Sequence, residues 1–431
     1  MSRKKAAFKT LGCRLNQFET DSIITDFHKA GYEIVPFNEH ADVYVVNTCT
    51  VTNQSDQKSK NTINQAVRHA GNTGLTVVTG CMVTSQKEYL ENRNDLTYVV
   101  DNKKKSSVFP LVDAHLNGEI LHPKDIKQDL FNFSVVEEGF HTRSMIKIQD
   151  GCNNFCTYCI VPKVRGRANS RPVNDVLENI RQVIDMGRKE VVLTGVNISR
   201  YKSEGVNFED LIEKILNLPG DFRVRISSME PEGLSEKFFD LFEHPKLCQH
   251  LHLCLQSGSD KVLELMRRFY DLNQFRTIVD TFRTRYPLFN FTTDIIVGFP
   301  GETDALFQES YNVAKEIGFG HIHTFKYSVR KGTIAEKMPN QIPDKIKVER
   351  SEAIRKLAEE SKLAYRKQFL GKEQTLLVEK PATEKGATGY GEHFIPIAVE
   401  HANLPKNSFQ KVKITEILAD KEKTTKAILL K

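Results

Sequence analysis

The sequence predicts an α/β protein in three parts: an open parallel α/β sheet domain, a partial (βα)6 barrel and a small all-β barrel at the C-terminus. Through the first hundred or so residues, short Val- and Ile-rich runs alternate with helical patterns, which is typical of parallel strands covered on both faces. The alternation restarts near residue 143 and continues through six β units. The last part of the chain holds short strands separated by Gly, Pro and Asn.

Length and composition limit the class of protein. The chain has 431 residues, which corresponds to roughly three domains. With 61 Lys and Arg against 55 Asp and Glu, its net charge of +6 is compatible with a polyanionic partner but does not require one. We find no apolar segment of a secretory signal and no run approaching the roughly 18 apolar residues of a membrane span. We therefore expect a cytoplasmic protein, in which eight cysteines indicate metal binding or catalysis before disulfides.

Three cysteines of the N-terminal part each follow a predicted strand. The strand-like runs are AAFKTL, DVYVVN, LTVVTG and TYVVD, and helical patterns lie near residues 16–30, 53–70 and 84–91. Cys13, Cys49 and Cys81 follow the first three of these runs. Because the carboxyl ends of parallel strands meet at one edge of a sheet, we expect the three cysteines to lie close together there.

The central part alternates strand and helix signals after a polar segment. Residues 101–140 are polar and irregular, and we expect them to connect two domains. The six strand-like runs that follow are SMIKIQ, EVVLTG, FRVRIS, HLHLCLQ, FTTDIIVG and HIHTFKYS. Helical patterns lie at 174–187, 208–217, 234–243, within 259–285 and at 303–317, and one long charged helix is predicted over 343–369. Since βαβ crossovers are right-handed, six such units predict an incomplete, TIM-like barrel that is open on one side.

The C-terminal part, from residue 367 onward, predicts a small all-β barrel. Its strand-like runs are TLLVEK, GATGYGEHFIPIAVE, SFQKVKITEIL and TKAILLK. This part contains eleven lysines, no arginine and eight acidic residues, so it is basic. A small basic barrel is a common nucleic-acid-binding fold, and a β cap without a binding role is the alternative.

The decisive segment is DGCNNFCTYC, in which Cys152, Cys156 and Cys159 have the spacing C-x3-C-x2-C. Thiolates are soft ligands that favour iron–sulfur clusters or zinc. Three ligands on one loop can hold three corners of a four-iron cluster and leave the fourth iron open. A structural zinc site needs a fourth protein ligand. Because no further cysteine lies at matching spacing and the nearest histidine is His141, the segment favours an iron–sulfur cluster over zinc.

This spacing directly after a strand resembles the radical S-adenosylmethionine (SAM) superfamily. In that superfamily the open iron binds the amino and carboxylate groups of SAM, which is cleaved reductively to a 5′-deoxyadenosyl radical. The order of the three parts is similar to that of the methylthiotransferase family, whose small C-terminal domain is the TRAM module. The stretches that carry this resemblance are TLGCRLNQFETD, VVNTCTVT, VTGCMV, RISSMEP, LQSGSD, DIIVGFPGE and YSVRKGT.

The resemblance implies SAM and two [4Fe–4S] clusters as cofactors. The implied ligands, which are also the candidate catalytic residues, are Cys152, Cys156 and Cys159 for the cluster that binds SAM, and Cys13, Cys49 and Cys81 for the second cluster. The candidate SAM-binding residues are mostly polar residues at strand ends: Tyr158, Thr194, Gly195, Asn197, Ser228, Glu230, Gln256 and Ser257. Ordinary turn or core positions are the alternative for these eight.

The basic run VPKVRGRANSRP, which follows the cysteine motif, is a candidate tRNA contact. Its basic residues are Lys163, Arg165, Arg167 and Arg171. The guanidinium fork of arginine matches phosphate geometry, and a solvated charged face is the alternative. In the barrel, Cys248, Cys254 and His252 are interpreted as core residues and Asp294 as part of the barrel rim.

Two features point to one branch of the family. TLGCRLNQFET resembles the members that act on threonylcarbamoyl-adenosine in tRNA, and the ribosomal-protein branch tends to carry an acidic residue where this chain has Arg330. The implied reaction adds a methylthio group to C2 of N6-threonylcarbamoyladenosine-37. The alternatives are isopentenyladenosine-37, a ribosomal protein aspartate, or a non-catalytic iron–sulfur RNA-binding protein. Three-cysteine ligation argues against the last, since electron carriers usually take four cluster ligands from protein.

The predicted organisation follows from these assignments. The boundaries are 1–115 for the N-terminal methylthiotransferase domain, 116–140 for a linker, 141–366 for the radical SAM domain and 367–431 for a tRNA-binding TRAM domain. Besides the anticodon stem-loop of tRNA, the expected partner is an electron donor such as flavodoxin or ferredoxin. We expect a monomer with no membrane association.

Overall fold

The computed structural model describes residues 3–136, 142–381, 386–400 and 403–430, so His141 and residues 137–140 lie outside the described residues. The chain forms two compact units. The first comprises Met1–Phe140, Lys147–Arg171 and Ser328–Glu336, and the second comprises His141–Ile146, Pro172–Tyr327 and Lys337–Lys431. The loop with Cys152, Cys156 and Cys159 therefore belongs to the same unit as the N-terminal sheet. The predicted division into four segments stays a prediction.

The first unit is built on a five-stranded parallel sheet. In spatial order its strands are Glu33–Val35, Lys5–Thr10, Val43–Thr48, Leu75–Gly80 and Tyr98–Val100. The helices of this unit are Arg14–Lys29, Asn53–Ala70, Cys81–Ser85, Lys87–Glu91, Val108–Leu116 and Val161–Val164, with 3-10 turns at Asn102–Ser107 and Pro123–Asp125. Val43 and Val45 pack in one apolar core and Tyr44 and Val46 in a second, so both faces of the sheet are covered.

The prediction of an irregular connection over 101–140 is wrong for its first part. Asn102–Ser107 is a 3-10 turn and Val108–Leu116 is a helix. Val108, Leu111 and Val112 of this helix are fully buried in the core of the N-terminal sheet. The lysine-rich start of the segment concealed the apolar spacing of VFPLVDAHL, which by itself predicts a buried helix face.

The second unit contains the partial barrel. Its parallel strands form two adjoining sheets, Arg143–Lys147, Glu190–Thr194 and Arg223–Ile226 in one, and Ser228–Met229, His250–Leu253, Asn290–Val297 and His321–Lys326 in the other. A single residue separates Ile226 from Ser228, and a parallel bridge joins Val224 to Leu247. The helices are Val173–Asp185, Phe208–Leu216, Glu236–Asp240, Asp260–Leu265, Leu272–Arg285, Asp304–Ile317 and Asp344–Lys367. These elements confirm the incomplete (βα)6 barrel and the long charged helix.

The smaller elements lie in connections between these strands and helices. The short strands are Gln149–Asp150, Asn169–Ser170, Lys202–Ser203 and Val206–Asn207, and the remaining 3-10 turns are Ile198–Arg200, Leu241–Glu243 and Ala335–Lys337. No helix in the described part of the chain is long and apolar enough to cross a membrane.

The C-terminal part is a closed five-stranded barrel, which confirms the prediction of an all-β fold. Its strands are Glu373–Lys380, Ala387–Tyr390, Pro396–Val399, Phe409–Ile417 and Thr425–Leu429. Leu376, Ile397 and Val412 are fully buried in its core. Residues 382–385, 401, 402 and 431 lie outside the described residues.

A buried ion cluster ties this small barrel to the parallel strands. Glu190 accepts hydrogen bonds from Arg223 at 2.6 Å and from Arg225 at 2.8 Å. The same guanidinium groups donate to the carbonyl oxygens of Thr375 and Gly391 in the small barrel, at 2.9 and 3.2 Å. Burial alone would raise the pKa of Glu190, but the two arginines hold it well below its usual range. The carboxylate is therefore ionised at neutral pH and balances the arginines.

We predict that Glu190→Gln destabilises the second unit by about 3 kcal/mol, because it leaves two arginines buried without a counter-charge. Denaturant unfolding at pH 7 measures this change. The matched control is Glu178→Gln, whose ion pair with Arg181 is half-exposed and is expected to contribute less than about 0.5 kcal/mol. Equal losses of stability in the two variants would contradict the role given to Glu190.

Candidate active site

Three cysteines lie at the carboxyl ends of three adjacent strands. Cys49 directly follows Val43–Thr48, Cys81 directly follows Leu75–Gly80, and Cys13 follows the strand Lys5–Thr10. Burial raises the pKa of the Cys49 thiol, and the charges of Cys81 and Cys13 raise it further, so the three sulfurs are within electrostatic range. The structure thus brings Cys13, Cys49 and Cys81 together at one edge of the sheet.

Gly12 and Asn16 allow the Cys13 loop to approach Cys49. Gly12 has φ +99°, and a Cβ atom there would lie 2.8 Å from Cys49 Cβ and 2.9 Å from its Sγ, so only glycine fits. The Asn16 amide donates to the carbonyls of Leu11 at 2.8 Å and Thr48 at 3.0 Å, which fixes the first two cysteine-bearing turns to each other.

The loop with the other three cysteines is closed at its base. Gly151 has φ +69°, and a Cβ atom there would clash with the Arg167 carbonyl. The backbone N–H of Cys152 donates to Gly166 O at 3.1 Å, and that of Cys159 donates to Cys156 O at 3.0 Å. Tyr158 lies on this loop between the last two cysteines. The three cysteines are partly exposed, and none forms a disulfide.

The donor set of each triad fits an iron–sulfur cluster better than a structural zinc ion. The triad at the sheet edge and the triad on the loop each supply three thiols, which are soft ligands. A structural zinc site takes four protein ligands. Three cysteines can hold three corners of a four-iron cluster, which is what the resemblance in sequence implies for both triads.

The two triads are connected through packing and buried charge. Cys81 packs in one cluster with Ile160, which directly follows Cys159, and with Val164 at the end of the helix Val161–Val164. Arg330 donates to Thr50 O at 2.7 Å and to Asp56 at 2.8 Å. It therefore holds the segment that follows Cys49. The sequence alone indicated only that this residue distinguishes the chain from the ribosomal-protein branch of the family.

A network of five buried charges joins the segments that carry the cysteines. Its members, each no more than 3% exposed, are Glu19, Lys105, Lys147, Asp150 and Arg165. Lys147 contacts Glu19 at 2.9 Å and Asp150 at 2.6 Å, and Lys105 also pairs with Glu19. Burial alone would raise the pKa of Glu19, but Arg165, Lys105 and Lys147 hold it well below its usual range.

Two of the four predicted tRNA contacts are buried. The Arg165 guanidinium contacts Glu19 at 3.1 Å, Asp150 at 3.0 Å and Asn16 at 2.6 Å, so it has no surface to offer a phosphate. The prediction that Arg165 contacts tRNA is therefore wrong. Arg171 is also buried, at 9% exposure. Lys163 and Arg167 are exposed. Lys163 contacts the Gly332 carbonyl and Arg167 lies over the Phe155 ring at 4.5 Å.

The other predicted SAM-binding residues lie in the second unit at three neighbouring strand ends. Thr194 ends the strand Glu190–Thr194, and Gly195 and Asn197 follow it. Ser228 and Glu230 lie on and after the short strand Ser228–Met229, and Gln256 and Ser257 lie after His250–Leu253.

The side chains of Glu230 and Ser257 contact other residues of the protein. The Glu230 carboxylate pairs with Arg268. Ser257 is fully buried, and its hydroxyl lies 3.0 Å from that of Ser310, so this hydroxyl is used inside the protein. Gln256 has φ +61°, and its backbone N–H donates to Asp294 O at 2.9 Å.

Sequence reasoning missed a polar cluster on three neighbouring strands of the second unit. His252 Nε2 lies 3.2 Å from Asp294 Oδ1, and His252 Nδ1 lies 3.0 Å from Thr292 Oγ1. The His323 ring lies 5.7 Å from that of His252. The sequence pattern that could have revealed this cluster is the alternation of polar residues. They occupy every second position of the segments HLHLC, FTTD and HIHTF. We call His252, Thr292, Asp294 and His323 the polar wall.

Two family models match the chain. They are "Uncharacterized protein family UPF0004", which matches residues 5–101, and "Radical SAM superfamily", which matches residues 146–314. Among solved structures, the radical SAM methyltransferase TsrM from Kitasatospora setae aligns with a TM-score of 0.55 and 13% identity, covering 75% of this chain and 72% of that one. The cobalamin-dependent radical enzyme OxsB aligns with a TM-score of 0.50 and 9% identity, covering 83% and 56%. At these identities the likeness shows the fold alone.

Curated relatives match over most of the chain. The threonylcarbamoyladenosine tRNA methylthiotransferase MtaB of Thermotoga maritima is 36% identical over 400 residues, covering 91% of this chain and 90% of that protein. The MtaB protein of Bacillus subtilis is 34% identical over 422 residues, covering 95% and 93%. The tRNA-2-methylthio-N(6)-dimethylallyladenosine synthase of Thermodesulfovibrio yellowstonii is 32% identical over 394 residues, covering 90% and 91%. The chain therefore belongs to the tRNA methylthiotransferase family of radical SAM proteins.

Proposed function

We propose that this protein is a tRNA methylthiotransferase that converts N6-threonylcarbamoyladenosine-37 to its 2-methylthio derivative. The observation that carries the proposal is the presence of two separate cysteine triads in one compact unit, one on the radical SAM loop and one at a sheet edge. Similarity to the MtaB proteins, at 34–36% identity over about nine-tenths of the chain, supports the threonylcarbamoyl substrate.

The six cysteines are proposed to hold the cofactors. Cys152, Cys156 and Cys159 would hold the [4Fe–4S] cluster that binds SAM, and the other triad would hold the second cluster. With SAM bound, such a cluster supplies the one-electron chemistry that opens an unactivated C–H bond, for which no side chain is suited. The protein's own groups bind and orient SAM. For this role we propose Tyr158 and six of the predicted strand-end residues: Thr194, Gly195, Asn197, Ser228, Glu230 and Gln256.

The substrate is a polyanion, and two surfaces are proposed to bind it. Lys163 and Arg167 are the exposed cations of the basic run that follows Cys159. The small C-terminal barrel is the second surface, since barrels of this kind commonly bind nucleic acid. We further propose a flavodoxin or ferredoxin as electron donor, a monomeric state and a cytoplasmic location.

The dimethylallyladenosine branch is the second candidate function. Its members are 32–33% identical to this chain over about nine-tenths of its length, which is close to the values for the MtaB proteins. The two substrates differ in the group on N6 of the same adenosine, so nucleoside analysis separates them.

We predict that deleting the gene removes 2-methylthio-N6-threonylcarbamoyladenosine from tRNA while its unthiolated parent remains. Mass spectrometry of tRNA nucleosides measures both, and the wild-type gene should restore the product. A gene with Cys152→Ala serves as the inactive control. Loss of the 2-methylthio form of isopentenyladenosine instead would assign the chain to the second branch.

We predict that each cysteine triad accounts for about half of the bound iron. After anaerobic reconstitution, about eight irons per chain are expected, because each cluster holds four. Replacing Cys152, Cys156 and Cys159 by Ala should remove about half of the iron and abolish reductive cleavage of SAM.

Replacing the other triad by Ala should also remove about half of the iron but leave cleavage of SAM intact. Iron analysis and the release of 5′-deoxyadenosine measure the two effects. The double substitution Cys248→Ala and Cys254→Ala, at two buried cysteines of the second unit, is the control and should retain all of the iron. Full iron content in either triad variant would contradict the ligand assignment.

We predict that Lys163→Ala combined with Arg167→Ala weakens tRNA binding and lowers its dependence on salt, because up to two phosphate contacts are lost. The binding constant is measured over a series of salt concentrations. The slope of its logarithm against the logarithm of the salt concentration should be shallower by about one to two. Arg181→Ala, which removes a half-exposed arginine of the helix Val173–Asp185, is the control. An unchanged slope in the double variant would exclude this surface.

A further inference from the structure

The polar wall lies on one face of three strands that pair in parallel. The strands are His250–Leu253, Asn290–Val297 and His321–Lys326. Their register places His252 beside Thr292, and Asp294 beside His323. Because alternate residues of a strand point to the same face, these side chains form one continuous surface.

The helices of the barrel cover the opposite face. Phe291 packs its ring against Phe282 of the helix Leu272–Arg285, with ring centroids 5.7 Å apart. Leu251, Ile295 and Val297, which share the face of Phe291 on their strands, are fully buried. The polar wall therefore faces the interior of the barrel. Interiors of such barrels are usually filled by Val, Ile and Leu, so a polar interior surface indicates a place for a ligand.

The hydrogen bonds of the polar wall argue against a metal ion. His252, Cys254 and Asp294 have ligand atoms within 4.8 Å of one another. However, His252 bonds to Asp294 through Nε2 and to Thr292 through Nδ1, so both ring nitrogens are engaged. Burial alone would raise the pKa of Asp294, but His252 and the neighbouring histidines hold it below its usual value. The wall thus presents an ionised carboxylate beside imidazoles.

The last strand opens this surface to a ligand. His323 is exposed, and Phe325, two residues further along the same face, is 43% exposed. An exposed aromatic ring is the usual platform for a nucleobase removed from its stack. Hydrogen-bonding side chains next to such a ring would contact the substituents at the edge of the stacked base.

We propose that this surface binds the modified base, with Phe325 stacking on the adenine while His323 and Asp294 bind its N6 substituent and His252 orients Asp294. The inference rests on the proposed function and names the residues that read the substrate. A threonylcarbamoyl group carries N–H and hydroxyl donors suited to Asp294, and carbonyl and carboxylate acceptors suited to His323. A dimethylallyl group offers neither, so it would remove water from these side chains without replacing the lost hydrogen bonds.

The test compares anticodon stem-loop RNAs that differ only at position 37, which carries adenosine, threonylcarbamoyladenosine or isopentenyladenosine. Binding is measured with the anaerobically reconstituted enzyme. The wild type should bind the threonylcarbamoyl form about tenfold more tightly than the unmodified form. In His323→Phe this preference should fall to within about twofold. The control is His40→Phe, at an exposed turn of the first unit, which should retain the preference.

If His323→Phe fails to fold, as judged by circular dichroism, Asp294→Asn and His323→Asn replace it, and both should reduce the preference. A wild-type enzyme that methylthiolates the threonylcarbamoyl form, with variants that keep the full preference, would overturn the inference and leave the proposed function intact. A wild type that neither modifies nor prefers this RNA would instead overturn the proposed function.

Discussion

The first unit depends on burying five charged side chains while pairing each of them. Glu19 is fully buried and accepts hydrogen bonds from Arg165 and Lys147, and Asp150 contacts the same two cations. Removing a charge from water costs several kcal/mol unless an opposite charge lies at hydrogen-bonding distance. Any shift of the helix Arg14–Lys29 against the cysteine loop would separate these charges where water cannot reach them. The network therefore specifies one arrangement of the two segments.

The same network sets the electrostatic surroundings of the cysteines. It contains three cations and two carboxylates, so it has surplus positive charge. Burial alone would lower the pKa of Arg165, but Asp150, Glu19, Cys81 and Cys13 together raise it well above its usual value. The Arg165 guanidinium therefore stays charged inside the protein, within electrostatic range of two cysteines as well as of its two carboxylate partners. One set of side chains thus fixes the fold of this unit and lies beside the cysteines.

Sequence periodicity was sufficient to predict the fold class and to place three cysteines at strand ends. Strand patterns of period two and helical patterns of period near 3.6 are local properties, so they can be read without knowing tertiary contacts. The buried ion pairs of Arg165 could not be predicted from such local patterns. Its partners Glu19 and Asp150 lie 146 and 15 residues away in sequence, and a basic run looks the same whether its members face solvent or a buried carboxylate. The helix Val108–Leu116 was missed for a related reason, since a lysine-rich start outweighed its apolar face.

The polar wall shows the same limit of local patterns within the barrel. Alternation along HLHLC assigns His252 to one face of a strand, but it does not tell whether that face is packed or open. Only the pairing of three strands reveals that His252, Asp294 and His323 share a surface on which Phe325 is exposed. Filling this interior with aliphatic side chains would stabilise the barrel more than a hydrogen-bonded carboxylate does. Because the chain instead keeps polar groups and an exposed ring there, a role in binding accounts for the surface better than stability does.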